Sequence, residues 1–472
     1  MSIYTPTIGL EIHAELKTKT KMFCNSKNDP DEKSPNVNIC PVCMGHPGTL
    51  PTINKEAVRH VLKVGTALGG ELATNTYFDR KNYFYPDLPK GYQVSQYKNP
   101  LVSGGTLKDV LVTRIHLEED TARSSHETGN TSLVDFNRAG IPLMELVTEP
   151  VIKSGKQASD FARELRLLLR SLEAGEANME KGEMRVEANV SISDSDSLGT
   201  KVEIKNLNSL KAVEQAVAFE IGRQEDVLKR GEQVLQETRG WDENKQITFP
   251  QRIKEESQDY RYFPEPDLPR LDISDIPEFS LERLKSEISE LPWEKRSRYA
   301  DVYGIKDEDI EALVQDKKLG TLFEEATEKF ADDKNMIQTA ANYITSDLVG
   351  ILKRGKKASQ EISMTSESFC ELMLMIKEGT VSSRGAKDVL SVLAIEGGDA
   401  KSVGEGLGLI QKSNEDELKL VVSNIISSHK DVVEDYKAGK ESALQYLVGQ
   451  AMKETKGSAN PQILQKLFKE LL

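Results

Sequence analysis

A histidine and several acidic residues near the N-terminus are the first side chains in this 472-residue sequence that could carry chemistry. Apolar and polar residues alternate over residues 7–16, which predicts a strand. Glu11, His13 and Glu15 occupy one face of that strand, because successive side chains point to opposite faces. Carboxylates with one imidazole form a donor set that suits Mg²⁺.

Two later segments add carboxylates to this set. Residues 110–119 alternate in the same way and end at Glu119, and Glu145 lies in the next apolar segment. Both acids take the apolar side of their predicted strands, where a carboxylate is costly unless it is paired or binds a metal. Mg²⁺ keeps waters and substrate phosphates in its remaining positions, so convergence of the three segments would support phosphoryl transfer. Each acid taken alone has a simpler explanation, as the solvated end of a strand.

Any nucleotide site in this chain must do without a P-loop. The sequence contains no Gly-x-x-x-x-Gly-Lys-Ser/Thr segment, the loop whose backbone amides hold phosphates in that class of protein. ATP would therefore bind through another architecture.

Three cysteines in the first fifty residues suggest a zinc site that lacks one ligand. Cys40 and Cys43 form a Cys-x-x-Cys pair, Cys24 precedes them, and His46 or a water could complete the coordination. Reduced, partly buried thiols are the alternative. A zinc deaminase, which pairs His-x-Glu with Pro-Cys-x-x-Cys, is disfavoured because Pro41 lies inside the pair and not before it.

Aromatic and basic residues are interleaved in residues 79–96. Such a mixture can stack on bases and hold phosphates at a single-stranded RNA end. A loop fixed by tyrosine hydroxyls would have the same composition, and residues 259–269 form a second stretch of this kind. The candidate RNA-binding residues here are Arg80, Lys81, Tyr83, Tyr85 and Lys90.

The pattern of the whole chain predicts an α+β fold in which these segments are strands of one N-terminal domain. Short helical segments separate the alternating ones, and the helical spacing after Leu210 is expected to end near Gly231. Beyond Pro292 the sequence is charged, amphipathic and helical, with glycine-rich breaks near residue 405. We therefore expect domains at 1–292, 293–404 and 405–472.

Composition limits the class of protein. Hydrophobic residues make up 38% and charged residues 29%, as in globular proteins. No apolar stretch approaches the roughly 20 residues that span a bilayer, and no targeting segment is evident, so we expect a cytoplasmic protein without a membrane partner. The net charge of −14 disfavours strong nonspecific binding to nucleic acid but leaves room for a local basic face.

Taken together, the motifs resemble one family, the B subunit of aspartyl/glutamyl-tRNA(Asn/Gln) amidotransferase, GatB. The resemblance covers essentially the whole chain in the family's order. It rests on Ile8-Gly-Leu-Glu-Ile-His-Ala-Glu-Leu16 and on residues 79–96, 114–120, 134–147, 203–209, 259–269, 446–453 and 456–461.

The resemblance implies a heterotrimer with an amidase-type A subunit and a small C subunit. This chain would hold tRNA misacylated with Glu or Asp and use ATP to turn the side-chain carboxylate into an acyl phosphate, which ammonia then displaces. The cognate non-discriminating aminoacyl-tRNA synthetase is a further expected partner. A tRNA-binding scaffold without chemistry of its own is the alternative function.

The resemblance also implies a fold and particular site residues. The N-terminal domain would be a mixed α+β cradle, followed by a helical domain and a small helical tail like the YqeY proteins, which would grip tRNA with Lys453 as one contact. His13, Glu119 and Glu145 match the positions that hold Mg²⁺, and Glu11 would support them. Ser26 stands where many members have a further cysteine, which puts a tightly bound zinc in doubt.

Overall fold

The computed structural model describes residues 3–128, 131–253, 260–355, 359–410, 415–455 and 459–472. The chain divides into two compact units, residues 1–292 and 293–472. The first combines strands with a few helices and the second is helical. The predicted fold class, a mixed α+β region followed by helices, is confirmed.

The strands of the first unit are short at the edges and long at the centre. They are Thr5–Glu15 (β1), Glu71–Leu72 (β2), Asn75–Thr76 (β3), Asp79–Asn82 (β4), Tyr92–Ser95 (β5), Val102–Ser103 (β6), Thr106–Leu107 (β7), Val110–Glu119 (β8), Arg123–Thr128 (β9), Thr131–Asp135 (β10), Pro142–Thr148 (β11), Met184–Ser193 (β12), Val202–Leu207 (β13), Glu237–Asp242 (β14), Ile247–Ile253 (β15), Phe263–Pro264 (β16) and Leu271–Asp272 (β17).

Ten of the described strands form one sheet in the order β15-β14-β13-β12-β1-β11-β8-β6-β2, with β7 also paired to β8. Neighbouring strands are antiparallel except β13 and β14. Strand β1 lies at the centre, between β11 and β12. A separate three-stranded sheet contains β16, β4 and β5, and it carries the aromatic and basic segment.

The helices of the first unit are Lys55–Ala67 (α1), Gly155–Ser171 (α2), Leu210–Lys229 (α3) and Leu281–Glu287 (α4). Serine caps begin two of them, since the Ser154 and Ser209 hydroxyls accept hydrogen bonds from backbone amides in the first turns of α2 and α3. Helix α3 ends at Lys229, and Gly231 beyond it has φ 74°, a conformation that favours glycine. The expected stop is confirmed.

Helices α2 and α3 pack against each other, and α3 lies on β12 and β13. Their contact is close at Gly155, where a Cβ would lie 2.2 Å from the carbonyl oxygen of Glu214. The sheet face toward the helices is apolar, with Ile8, Leu10 and Ile12 of β1 almost completely buried. The opposite face of β1 is therefore left for the polar side chains.

One predicted apolar face is wrong at its beginning. Alternation over residues 110–119 predicts that Leu111 lies on one face with Ile115 and Leu117, but Leu111 is 50% exposed whereas the other two are buried. The pairing of β8 with β11 shifts register here, because Val147 pairs with Arg114 while Thr148 pairs with Val112. The extra residue in β8 forms a bulge. In the part of β8 that precedes the bulge, the side chains that face the core are therefore the opposite set from those that alternation predicts.

The second unit contains α-helices and two π-helical turns, at Tyr299–Tyr303 and Tyr343–Leu348. The helices are Pro292–Arg298 (α5), Asp307–Gln315 (α6), Lys317–Lys329 (α7), Lys334–Asn342 (α8), Val349–Gly355 (α9), Ser366–Lys377 (α10), Ser383–Glu396 (α11), Ala400–Gly406 (α12), Glu415–Ser428 (α13), Lys430–Lys437 (α14), Glu441–Glu454 (α15) and Pro461–Leu471 (α16).

Two hydrophobic clusters lie within this unit, one from Tyr299 to Ala400 and one from Leu418 to Phe468. Helix α12 runs through the boundary predicted between residues 404 and 405, and the chain turns only at Gly408, with φ 67°. None of the described helices has the length and apolar composition that crossing a membrane requires.

Candidate active site

Strand pairing brings a row of charged side chains together across the centre of the large sheet. Arg185 of β12 lies opposite His13 of β1, His13 lies opposite Glu145 of β11, and Glu145 lies opposite His116 of β8. Side chains directly opposite each other in antiparallel strands share a face of the sheet. The row is therefore a consequence of register, and four segments far apart in sequence contribute one residue each.

His13 is at the centre of this row. Its Nε2 lies 3.3 Å from Glu118 Oε1, 3.4 Å from Glu145 Oε2 and 3.9 Å from Glu11 Oε1. His116 Nε2 lies 3.3 Å from the same Glu145 oxygen. These contacts define the acidic cluster: Glu11, His13, His116, Glu118 and Glu145.

The acidic cluster stabilises positive charge at its centre. Burial opposes protonation of His13, but hydrogen bonds with Glu118 and Glu145 and the charges of both raise the pKa of His13 well above its ordinary value. Burial alone would raise the pKa of Glu145. The adjacent His116 and His13 outweigh burial and hold that pKa well below its ordinary range. Burial and the charge of Glu145 raise the pKa of Glu11.

Two atoms of the cluster lack partners. Glu118 Oε2 and His116 Nδ1 are buried and have no hydrogen-bond partner within the described part of the chain. A buried carboxylate oxygen without a donor is costly, and binding of a cation would remove that cost. Two overlapping sets of donor atoms are close enough together to share a metal ion, one from Glu11, His13 and Glu145 and one from His116, Glu118 and Glu145.

Glu119, predicted as a ligand of this metal, lies elsewhere. It follows Glu118 in β8 and points to the other face, where its Oε1 pairs with Lys90 and accepts a hydrogen bond of 2.9 Å from the backbone amide of Val94. The structure does not bring Glu119 to the acidic cluster and places Glu118 there instead. The cause is the alternation of the strand, which sends consecutive side chains to opposite faces, and the prediction took the member on the apolar side.

Sequence reasoning also missed His116 of the same strand. The polar face of β8 was visible in the sequence as Arg114, His116 and Glu118 at alternate positions. That alternation was the available signal, but the prediction placed the functional acid on the apolar side.

The acidic cluster forms part of the floor of an open cleft of about 560 Å³. Cations also line the cleft: Arg185 donates two hydrogen bonds of 3.0 Å to Asp120, and Lys205 pairs with Glu187 at 2.8 Å. Tyrosines line the cleft as well, and the rings of Tyr97 and Tyr262 stack 4.4 Å apart. A cleft lined by acids, cations and aromatic rings suits a ligand that carries both phosphate and a metal ion.

The candidate RNA-binding residues fall in different surroundings. Lys81 and Tyr83 line the cleft, and the Tyr83 hydroxyl donates to Gln93. Tyr85 also lines the cleft and is 56% exposed. Arg80 instead donates two hydrogen bonds to Glu265.

Lys90 and Lys453 lie outside that cleft. Lys90 pairs with Glu119 in a second, smaller pocket. Lys453 is exposed in the last turn of α15. A role of these residues in tRNA binding stays a prediction.

The three cysteines form a separate group. The sulfurs of Cys24, Cys40 and Cys43 lie within 4.8 Å of one another, and His46 is not part of the group. The Cys40 and Cys43 sulfurs are 3.9 Å apart, close to the roughly 3.8 Å expected for two thiolates on one tetrahedral zinc with bonds of about 2.3 Å. Ser26 Oγ lies 3.8 Å from the Cys43 sulfur, at the edge of this group.

A buried lysine adjoins these thiols. The Lys21 ammonium lies 3.8 Å from the Cys43 sulfur. The hydrogen bond from the Cys24 thiol, together with this ammonium, lowers the pKa of Cys43 to about 4. The geometry fits three of the four zinc positions. It does not form the deaminase arrangement, because His13 belongs to the acidic cluster and not to the cysteine group.

Comparison with known protein families gives two matches. The family model described as the GatB/GatE catalytic domain matches residues 6–276, more than half of the chain, and the family model described as the GatB domain matches residues 321–472. The chain belongs to the GatB family. All the residues of the acidic cluster lie in the part that matches the GatB/GatE catalytic domain.

Relatives of this GatB-family chain match it from end to end. The B subunit of aspartyl/glutamyl-tRNA(Asn/Gln) amidotransferase from Gloeothece citriformis is 41% identical over 99% of this chain and 98% of its own length. The protein of the same name from Thermoanaerobacter pseudethanolicus is 41% identical over 99% of both chains. That of Brevibacillus brevis is 40% identical over 100% of this chain and 99% of its own. The resemblance to the GatB family is confirmed.

Proposed function

We propose that this chain is the component of a tRNA-dependent amidotransferase that uses ATP to phosphorylate the side-chain carboxylate of Glu-tRNA(Gln) or Asp-tRNA(Asn). Ammonia then displaces phosphate and leaves Gln-tRNA(Gln) or Asn-tRNA(Asn). The observation that carries the proposal is the acidic cluster itself, in which the unpartnered Glu118 oxygen adjoins His13 and Glu145 on the floor of a cation-lined cleft.

The chemistry explains why such a site is needed. A carboxylate does not react with ammonia until one of its oxygens becomes a good leaving group, and transfer of a phosphoryl group supplies that leaving group. In phosphoryl transfer the protein mainly positions the reactants and neutralises charge. An arrangement of acids, imidazoles and cations fixed by strand register suits this task.

The residues have distinct parts in the proposal. Glu118, Glu145 and His13 would hold magnesium, with Glu11 beside them, and the ion when bound would neutralise charge on phosphoryl oxygens. Arg185 is fixed by its hydrogen bonds to Asp120 and presents positive charge to the cleft.

The proposed partners rest on the family. The relatives are named as one subunit of an amidotransferase, which supports a complex of several different chains. We place in it an amidase chain that releases ammonia from glutamine and a small third chain, with the cognate non-discriminating aminoacyl-tRNA synthetase as a further partner in the cytoplasm. The tail after residue 405, with Lys453 exposed, would contact the body of the tRNA.

The test measures ATP-dependent formation of Gln-tRNA(Gln) by the complex supplied with glutamine, Mg²⁺ and Glu-tRNA(Gln). Glu145→Gln and His13→Ala are expected to lower turnover by at least about a hundredfold, because both remove groups from the reacting centre. Glu176→Gln, on the exposed surface outside the cleft, is the control. Full turnover in Glu145→Gln and His13→Ala would overturn the proposal, and the chain would then be a tRNA-binding scaffold.

A further inference from the structure

Lys81 differs from the other cations that line the cleft, each of which lies within 4 Å of a carboxylate. Arg138 lies 3.3 Å from Asp120, and Arg114 lies 3.7 Å from Glu145. Arg185 and Lys205 are held by Asp120 and Glu187 at 3.0 and 2.8 Å. The Lys81 ammonium has neither an ion pair nor a hydrogen bond with any residue in the described part of the chain.

Aromatic rings and strand pairing hold this lysine in place. Lys81 lies in β4, opposite Gln93 of β5. Its Nζ is 5.1 Å from the ring centroid of Tyr260 and 5.9 Å from that of Tyr83, distances at which a cation is attracted to a ring face. Such contacts position an ammonium group and leave its three N–H donors without acceptors.

The acids of the cluster act on Lys81 from a distance. Burial acts to lower the pKa of Lys81, but the charges of Glu118 and Glu145 outweigh it, so that the pKa lies above its ordinary value. The ammonium is therefore charged at neutral pH, and it shares the cleft with a carboxylate of which one oxygen, Glu118 Oε2, also lacks a partner within the described residues. An unpaired donor and an unpaired acceptor on the walls of one cleft indicate a ligand between them.

We propose that Lys81 binds the anionic reacting group of the substrates, the side-chain carboxylate of the aminoacyl-tRNA or the γ-phosphoryl group that it attacks. This inference rests on the proposed function. A site built of acids repels both anions, so cations must offset that repulsion. Lys81 can do so with its whole charge, whereas Arg185 and Lys205 already share theirs with Asp120 and Glu187.

The balance of the step defines what Lys81 does. A carboxylate oxygen donates an electron pair to the γ-phosphorus, and the bond from that phosphorus to the oxygen of ADP breaks, so ADP leaves with the electron pair. Lys81 keeps its protons throughout and donates hydrogen bonds to oxygens whose charge is redistributed. It is a group that stabilises charge, and its contribution is greatest in the transition state.

The experiment compares Lys81→Met, which keeps the length of the side chain, with the wild-type complex and with Lys153→Met, an exposed lysine outside the cleft. Phosphate release is measured against the concentrations of ATP and of Glu-tRNA(Gln). Binding of a nonhydrolysable ATP analogue and ADP, and of charged and uncharged tRNA, is measured as well. Thermal melting and Lys81→Arg, which restores the charge, identify a variant that has merely failed to fold.

We expect Lys81→Met to lower kcat at least about tenfold, with a change of less than about threefold in KM for the tRNA. If the Lys81→Met complex no longer binds the ATP analogue more tightly than ADP, Lys81 binds the γ-phosphoryl group. If that complex no longer binds charged tRNA more tightly than uncharged tRNA, Lys81 binds the side-chain carboxylate.

An equal rise in KM for charged and uncharged tRNA at unchanged kcat would overturn the inference, since Lys81 would then contact only the tRNA backbone. Unchanged kinetics would overturn it too. Absence of tRNA-dependent phosphate release in the wild-type complex is a different outcome, because it contradicts the proposed function itself.

Discussion

Glu118 and Glu119 are consecutive residues whose carboxylates serve different parts of the molecule. Glu118 Oε1 lies 3.3 Å from His13 Nε2 in the acidic cluster, whereas Glu119 pairs with Lys90 on the other face of β8. The alternation of a strand separates them, and only one can touch a metal ion bound by His13.

The pair gives a first prediction. Glu118→Gln is expected to raise the Mg²⁺ concentration for half-maximal activity at least about tenfold, because a ligand is lost. Glu119→Gln is expected to leave that concentration unchanged and to destabilise the fold by about 1–3 kcal/mol, because Lys90 loses its charged partner. Titration of activity with Mg²⁺ and chemical denaturation measure both effects. The reverse assignment, with Glu119→Gln shifting the Mg²⁺ requirement, would contradict the site.

These same residues show how much of the site the sequence could predict. Residues 110–119 were predicted as a strand and have those bounds in the structure, because alternation is a local property. The choice of Glu119 over Glu118 followed from the cost of a buried acid and from the family resemblance. Sequence could not show that Lys90, far from Glu119 along the chain, removes that cost.

Convergence of the strands was equally beyond local reasoning. His13 and Glu145 are brought together because β11 pairs with β1 in one particular register. A shift by one residue would send Glu145 to the other face of the sheet. The family resemblance supplied His13, Glu119 and Glu145 as ligands, and it could not supply the geometry that brings Glu118 and His116 to the site.

The zinc group gives a second prediction. Ser26→Cys would place a fourth thiol where Ser26 Oγ now lies, 3.8 Å from the Cys43 sulfur. After dialysis against a chelator we expect this variant to keep about one zinc per chain and the wild type to lose its zinc, because four thiolates hold the ion more firmly than three. Metal analysis by mass spectrometry measures the content. Stoichiometric zinc in the dialysed wild type would show that three thiolates suffice.

A third prediction concerns the helix contact beneath the site. Gly155→Ala would place a Cβ 2.2 Å from the Glu214 carbonyl oxygen, so α2 and α3 must separate. We expect a loss of about 1–3 kcal/mol in the free energy of unfolding. Gly222→Ala in α3 meets nothing within 4 Å and is the matched control, expected to be neutral or to stabilise by up to about 1 kcal/mol. Equal stability of the two variants in urea would contradict the close packing at Gly155.

The fourth prediction is a pH dependence in the second unit. Burial raises the pKa of Tyr343 to about 12, and its hydroxyl donates to the carbonyl oxygen of Ser383 at 3.2 Å. The unfolded chain loses this proton near pH 10, so the contribution of Tyr343 to stability is complete below pH 10 and is lost as the pH rises toward 12.

Tyr343→Phe is therefore expected to lose less stability than the wild type between pH 10 and 12, by roughly 1–2 kcal/mol. Unfolding in urea at several pH values measures the difference, and the two proteins should follow parallel courses below pH 9. Parallel courses up to pH 12 would show that Tyr343 titrates as an exposed tyrosine does.

The central claim is that the carboxylate of the aminoacyl-tRNA is phosphorylated in the cleft above His13, Glu118 and Glu145. The most direct measurement uses Glu-tRNA(Gln) with a heavy oxygen isotope in the side-chain carboxylate and follows the released phosphate by mass spectrometry. The account predicts one labelled oxygen in each phosphate with the wild-type complex, and loss of that labelled product in Glu118→Gln. Amidation that yields only unlabelled phosphate would contradict it.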